Sequence, residues 1–208
     1  IDQVNSLKKA KTLVEALPYI RQHSGKTIVI KYGGHAMGDK KLSKSFAQDI
    51  NLLKEIGMKP IIIHGGGPQI GKILKQKKIK SEFVEGLRIT NKAAVKVVEK
   101  VLINEINKKI VKDIKDIGGK AIGLSGNKHN LIEAKKLTVR TKDSDSNIEK
   151  ILDLGFVGSP TKINMSLIKK YSEKNYIPVI SPLGVDNNKN TLNINADTVA
   201  GFIAGIMK

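Results

Sequence analysis

Two glycine clusters follow short apolar segments, and each has neighbours suited to a negatively charged group. Gly33 and Gly34 follow Lys31 in the stretch IVIKYGG, and Gly65, Gly66 and Gly67 come after a run of isoleucines in IIIHGGGP. Consecutive glycines let a backbone approach a ligand closely. A helix that begins at such a turn directs N–H groups and the positive end of its dipole toward an anion. We therefore expect both turns to bind anions.

Two basic side chains could complete this site. Lys31 ends an apolar strand just before a glycine turn, where an ammonium can neutralise charge on a transferring phosphoryl group. Arg88, in EGLRIT, could clamp a carboxylate with both arms of its guanidinium. The alternatives are an exposed lysine and a surface salt bridge from Arg88 to Glu82 or Glu85.

A third polar segment precedes the last predicted helix. Asn193, Asn195 and Asp197 alternate there, so that all three share one face if the segment is extended. That face would suit the polar wall of a site, and Asp197 could orient a lysine. The alternative is that one of the three simply caps the helix.

The elements around the turns predict how they are positioned. Apolar runs predict strands over Thr27–Ile30 and Pro60–Ile63, and a helical pattern between them ends at Gly57. The two turns are thus separated by one βαβ unit. Parallel neighbouring strands would place both turns at the carboxyl edge of the sheet, where open α/β sheets bind ligands.

The rest of the chain continues this alternation. Helices are predicted over Ala93–Val111, Ser166–Asn175 and Thr198–Met207, strands over Lys120–Ser125 and Ile177–Ser181, an extended pair over Leu131–Arg140 and Ile151–Val157, and a loop over Asp143–Asn147. The predicted fold class is α/β: a three-layer αβα sandwich with a mainly parallel central sheet, preceded by an N-terminal helix.

The N-terminal helix, Leu7–Ile20, is predicted from apolar residues at helical spacing, and Pro18 should kink or end it. Its apolar face would pack either on its own domain or against another subunit. The expected organisation is a helical arm over residues 1–25 and one domain over residues 26–208.

Composition excludes several classes of protein. The chain has no cysteine, and its four histidines form no paired metal-binding motif, so we expect no metal site. The net charge of +18 comes mostly from scattered lysines, and aromatics are only 4%, which argues against nucleic-acid binding. No apolar run reaches membrane-spanning length and no signal segment is evident, so we expect a cytoplasmic protein without membrane contact.

Taken together, six stretches resemble the acetylglutamate kinase branch of the amino-acid kinase family. They are IVIKYGGHAM, IIIHGGGPQI, EGLRIT, VGSPTKIN, IPVISPLGV and NINADTVA, in the family's order. The resemblance implies ATP-dependent phosphorylation of the side-chain carboxylate of N-acetyl-L-glutamate in arginine biosynthesis, with magnesium bound through the nucleotide.

The resemblance also implies roles for individual residues. Lys31 would stabilise the transition state and Asp197 would organise catalytic lysines. Gly65 and Gly66 would give backbone contacts to the reacting carboxylate. Arg88 and Asn193 would hold the rest of the substrate. Gly33 and Gly34 would approach the nucleotide phosphates.

The segment EALPYIR resembles the arm of the arginine-inhibited, hexameric branch, which implies inhibition by arginine and a homo-oligomer, either a dimer or a hexamer.

His35 departs from the asparagine expected after KYGG. The larger departure is that the family's nucleotide-binding half does not follow, so we expect a segment beyond residue 208. The alternatives are a non-catalytic substrate-binding module, a sister amino-acid kinase, or a basic nucleic-acid binder.

Overall fold

A computed structural model describes residues 2–142 and 149–207, so the predicted loop Asp143–Asn147 lies outside the described residues. The α-helices are α1 Asp2–His23, α2 Lys40–Glu55, α3 Gly67–Gln76, α4 Lys92–Lys100, α5 Lys108–Asp116, α6 Met165–Glu173 and α7 Ala196–Ile206. The strands are β1 Thr27–Tyr32, β2 Lys59–His64, β3 Phe83–Val84, β4 Leu87–Arg88, β5 Ala121–Ser125, β6 Ile132–Lys142, β7 Glu149–Ile163, β8 Ile177–Ser181, β9 Leu183–Val185 and β10 Thr191–Ile194.

The central sheet is parallel, with strand order β1-β2-β8-β5. Its register pairs Tyr32 with His64, so the two glycine turns begin side by side at one edge. A second, closed set of strands runs β10-β7-β6-β9, and β3 pairs with β4 in a short hairpin. The predicted parallel βαβ unit is confirmed.

Two apolar cores cover the two faces of the central sheet. In β2, Ile62 packs with the helices α2 to α5, whereas Ile61 and Ile63 pack with α6, α7 and the closed strands. Side chains alternate between the faces of a strand, so a continuous isoleucine run serves both cores. The result is the predicted three-layer αβα sandwich preceded by a helix.

Helix α1 continues through Pro18 to His23, so of the two predicted effects of Pro18, a kink or an end, the end is wrong. Proline removes one backbone hydrogen bond from a helix, but the carbonyl it leaves free can bind water when the helix is exposed. Leu7, Leu13, Val14 and Leu17 are all exposed along α1.

The helix predicted over Ala93–Val111 extends from Lys92 to Asp116, and its middle is a π segment, Val101–Asn107. The buried residues Val101 and Ile106 are five positions apart, which matches a π turn better than an α turn.

None of the described helices is long and apolar enough to cross a membrane.

Candidate active site

All eight residues singled out from the sequence line one cavity of about 280 Å³ at the carboxyl edge of the central sheet. They are Lys31, Gly33, Gly34, Gly65, Gly66, Arg88, Asn193 and Asp197. Parallel strands, the β3–β4 hairpin and the start of α7 each contribute to the lining. The roles of these residues stay predictions, but their convergence on one space is an observation.

The two glycine turns touch each other through their backbones. The Gly65 N–H donates to the Tyr32 carbonyl at 2.7 Å, which extends the β1–β2 pairing by one bond. Gly34 has φ of 71°, a left-handed conformation that favours glycine. Because the glycines of both turns carry no side chains, the space next to their backbones at the sheet edge stays open for a ligand.

The turn after β2 offers free backbone donors. Within the described residues, the N–H groups of Gly66 and Gly67 have no hydrogen-bond acceptor, whereas that of Gly65 is used in the sheet. Gly67 is the first residue of α3, whose dipole has its positive end here. A negatively charged group in the cavity would therefore meet Gly66 and Gly67. Gly67 belongs to the predicted anion-binding turn, but the family resemblance assigned the contacts with the reacting carboxylate to Gly65 and Gly66.

Lys31 and Asp197 form an ion pair across the cavity, with 3.3 Å between the Lys31 Nζ and an Asp197 carboxylate oxygen. Lys31 is held by the end of β1 and Asp197 by the first turn of α7. The contact gives Asp197 the geometry to orient the lysine ammonium.

Arg88 is buried, with 8% of its surface exposed, and lies on β4. Its guanidinium donates to the Ser81 hydroxyl and, at 2.9 Å, to the Gly67 carbonyl, and it lies 4.4 Å from the centre of the Phe83 ring. Burial lowers the pKa of this guanidinium.

The surface salt bridge considered for Arg88 is not observed. Among the described residues no carboxylate forms an ion pair with the Arg88 guanidinium: its bonded acceptors are neutral, and Glu82 pairs with Lys80 instead. A buried cation without an anionic partner is costly. The position is thus suited to an anionic ligand.

The polar residues that precede α7 make different contacts. Asn195 caps α7 by accepting from the N–H groups of Asp197 and Thr198. Asn193 lies on β10, where its amide donates to the Thr90 hydroxyl at 3.3 Å. Thr90 itself is fully buried, so it fixes Asn193 at the cavity wall; sequence reasoning missed this residue because a threonine carries no chemical signature.

The described residues contain no cluster of histidine, aspartate and glutamate side chains that could hold a metal ion.

Comparisons with known proteins agree with this architecture. The profile described as the amino acid kinase family matches residues 26–208. An acetylglutamate kinase from Rhodospirillum centenum is 56% identical over 198 residues, which are 95% of this chain and 65% of that protein. One from Bradyrhizobium diazoefficiens is 49% identical, over 99% of this chain and 70% of that protein.

Solved structures share the fold. The protein smu.665 from Streptococcus mutans UA159 matches with a TM-score of 0.74 and 29% identity over 87% of this chain and 68% of that one. An N-acetylglutamate synthase from Neisseria gonorrhoeae matches with a TM-score of 0.76 and 20% identity over 94% of this chain and 42% of that one. This second likeness concerns the fold alone.

This chain spans 65% of the length of the Rhodospirillum centenum relative, so it corresponds to part of that longer protein. The family profile covers residues 26–208, which include every residue that lines the cavity. The chain therefore belongs to the amino acid kinase family.

Proposed function

We propose that this chain forms the acceptor side of an acetylglutamate kinase, an enzyme that transfers a phosphoryl group from ATP to the side-chain carboxylate of N-acetyl-L-glutamate. The observation that carries the proposal is the cavity that brings Lys31, Arg88 and the free N–H groups of Gly66 and Gly67 together. Curated relatives named acetylglutamate kinase, 49–56% identical to this chain, give the substrate.

The chemistry asks little covalent work of the protein. A carboxylate is already ionised at neutral pH, so its oxygen can attack the terminal phosphorus of ATP without a general base. A bond forms between this oxygen and phosphorus, and the bond from phosphorus to the bridging oxygen of ADP breaks. The products are an acyl phosphate and ADP, and catalysis rests on positioning and charge stabilisation.

The substrate has two ends, and the cavity has separate groups for each. Arg88 and Asn193 hold the end that does not react, because Arg88 is a buried cation with unused affinity for a carboxylate. The free N–H groups of Gly66 and Gly67 face the reacting carboxylate, whereas Gly65, which was predicted to share this contact, has its N–H bonded to the Tyr32 carbonyl.

The transferring phosphoryl group would lie on the other side of the turn. Lys31 stabilises the charge that develops on this group, and Asp197 orients Lys31 through the ion pair described above. Gly33 and Gly34 approach the phosphates of ATP, and magnesium enters bound to the nucleotide. The adenine and ribose contacts belong to a part of the family fold outside this chain.

We also propose that α1 meets a second copy of the chain. Leu7, Leu13, Val14 and Leu17 are exposed on one helical face, which supports the interface alternative over packing on the same domain. Inhibition by arginine and localisation in the cytoplasm stay predictions from the sequence.

A coupled assay of ADP release by the full-length gene product tests the proposal. We expect release with N-acetyl-L-glutamate and none with unacetylated glutamate, carbamate or aspartate. Activity confined to another of these acids would identify a sister kinase. Calorimetric binding of N-acetyl-L-glutamate without ADP release would identify a substrate-binding module instead.

A further inference from the structure

Three buried polar side chains lie directly behind the Gly65–Gly66 turn. His64 and Ser181 have no exposed surface and Asn107 is 5% exposed. They come from the ends of β2 and β8 and from the π segment. Burying polar groups is costly unless they are hydrogen-bonded, so a cluster at this position calls for a physical role.

The hydrogen bonds of His64 determine where its proton lies. The Nδ1 atom is 2.9 Å from the Gly65 carbonyl oxygen, which can only accept, so Nδ1 carries the hydrogen and donates. The Nε2 atom lies 3.2 Å from the Asn107 amide nitrogen, which can only donate, so Nε2 accepts. It also lies 3.0 Å from the Ser181 hydroxyl, whose single hydrogen can go to Nε2 or to the Leu102 carbonyl 3.4 Å away. His64 is thus the neutral Nδ1–H tautomer.

Asn107 is itself fixed. Its amide nitrogen also donates to the Val179 carbonyl at 2.9 Å. Gly123 on β5 leaves room for it, because a methyl group at Gly123 would overlap the Asn107 amide oxygen. The amide nitrogen of Asn107, and not its amide oxygen, therefore faces His64. Because this nitrogen donates, the His64 Nε2 atom acts as the acceptor.

The π segment contacts the glycine turn from a second direction. A methyl group at Gly66 would lie 2.6 Å from the Ile106 Cδ1 atom and 2.8 Å from the Leu102 Cδ2 atom, so these side chains lie against the turn. The same segment thus supplies the apolar contacts to Gly66 and the amide that fixes His64. Single π turns within α-helices are frequent at functional sites.

The bond from His64 acts on the peptide that joins Gly65 to Gly66. A peptide unit is planar and trans, so its C=O and N–H groups point in opposite directions. Because His64 Nδ1–H holds the Gly65 carbonyl, the Gly66 N–H points away from His64. This N–H is one of the two free donors at the cavity.

We infer that His64, held by Asn107 and Ser181 as the Nδ1–H tautomer, is a positioning residue that aims the Gly66 N–H at the reacting carboxylate. His64 does not touch the substrate; it acts through the peptide plane. The inference rests on the proposed function for the identity of the ligand, but the tautomer and the orientation of the peptide follow from the contacts alone.

Two substitutions separate this role from mere packing. In His64→Asn the side-chain amide can take the place of Nδ1 and still donate to the Gly65 carbonyl. In His64→Gln the amide lies nearer the position of Nε2, so contact with Ser181 is kept and the bond to Gly65 is lost. A purely structural role would not favour the shorter side chain.

We expect His64→Gln to lower kcat of the full-length protein about tenfold to hundredfold, since a misdirected donor costs about that much. The KM for N-acetyl-L-glutamate should change less than about threefold, because Arg88 and Asn193 hold the other end of the substrate. His64→Asn should keep kcat within about threefold of the wild type. His129→Gln, the same change at an exposed histidine, is the matched control.

Equal kcat values for the His64→Asn and His64→Gln variants, or a loss confined to KM, would overturn the inference while leaving the proposed function intact. A wild-type protein without N-acetylglutamate-dependent ADP release would instead refute the proposed function.

A second measurement needs no variant activity. Nitrogen-15 NMR of the wild-type histidines at neutral pH should show one histidine protonated at Nδ1 and bare at Nε2, and its signals should be missing in His64→Asn. The opposite tautomer at His64, or a fast mixture of both, would overturn the inference whatever the activity.

Discussion

At the scale of single residues, the site depends on charges and donors that lack protein partners. Arg88 is a buried cation bonded only to neutral acceptors, and the N–H groups of Gly66 and Gly67 have no acceptor in the described part of the chain. The residue types could be read from the sequence. The sequence could not show that the Gly65 N–H is used within the sheet, because this depends on the register of β1 and β2.

Replacing Arg88 by alanine should raise the KM for N-acetyl-L-glutamate about tenfold to hundredfold, since charge-assisted hydrogen bonds contribute about 1.5–3 kcal/mol. Arg88→Lys should recover little of this, because lysine lacks the planar fork. Steady-state kinetics of the full-length protein measure the effect. Arg21→Ala, at an exposed arginine of α1, is the control, and an unchanged KM in Arg88→Ala would rule out the clamp.

His64 should make the folded state sensitive to acid. Burial lowers the pKa of His64 to about 4, the Gly65 carbonyl opposes this only in part, and neither cause is a neighbouring charge. Between pH 6.5 and 4 the unfolded chain therefore binds a proton that the folded chain does not, so stability falls as pH falls.

Urea unfolding of wild type and His64→Asn at pH 7 and pH 5 isolates this contribution. The wild type should lose about 2 kcal/mol more than the variant on this acidification, because only the wild type carries the titrating imidazole. Equal losses in the two proteins would mean that His64 is already charged or accessible in the folded state.

At the scale of elements, the sequence predicts what depends on local pattern. The isoleucine run of β2 and the β-branched run of β1 predicted the two strands. The number of residues between them predicted that the strands are parallel neighbours. The π segment was missed although Val101 and Ile106 are five residues apart, because a search for α-helical spacing accepts one irregular step. That Pro18 does not end α1 could not be predicted, because the effect of a proline depends on whether the helix is exposed.

The packing of the π segment against the glycine turn predicts unequal tolerance at neighbouring glycines. Gly66→Ala should lower the free energy of unfolding by about 1–3 kcal/mol, because the new methyl group would overpack against Leu102 and Ile106. Gly67→Ala should be neutral or stabilising, since no atom lies within 4 Å of the added methyl group and alanine favours a helix. Urea unfolding measures the free energy of unfolding of both variants. Equal values would contradict this packing.

At the scale of the whole molecule, the exposed apolar face of α1 stands apart from the compact α/β layers. Sequence periodicity located this face, but whether it packs on the same domain depends on the direction in which the helix leaves the sheet. The structure leaves Leu7, Leu13, Val14 and Leu17 exposed, which is the basis for proposing a partner copy.

Placing charge on this face should dissociate the proposed assembly of copies. Leu13→Lys combined with Val14→Lys should give a smaller species by light scattering coupled to size exclusion, because an ammonium at an apolar interface is costly. Thr12→Lys places one ammonium on the opposite face of the helix and should leave the mass unchanged. A double variant with the mass of the wild type would show that α1 does not hold the copies together.

The proposed function has N-acetyl-L-glutamate bound in the cavity at the carboxyl edge of the sheet, with Lys31 at the phosphoryl group that is transferred from ATP to its carboxylate. ADP release by the full-length protein and its Lys31→Ala variant tests this most directly. We predict release that requires N-acetyl-L-glutamate, and a kcat at least about a hundredfold lower in the variant at a nearly unchanged KM. A wild-type protein that does not respond to N-acetyl-L-glutamate, or a Lys31→Ala variant with undiminished kcat, would contradict it.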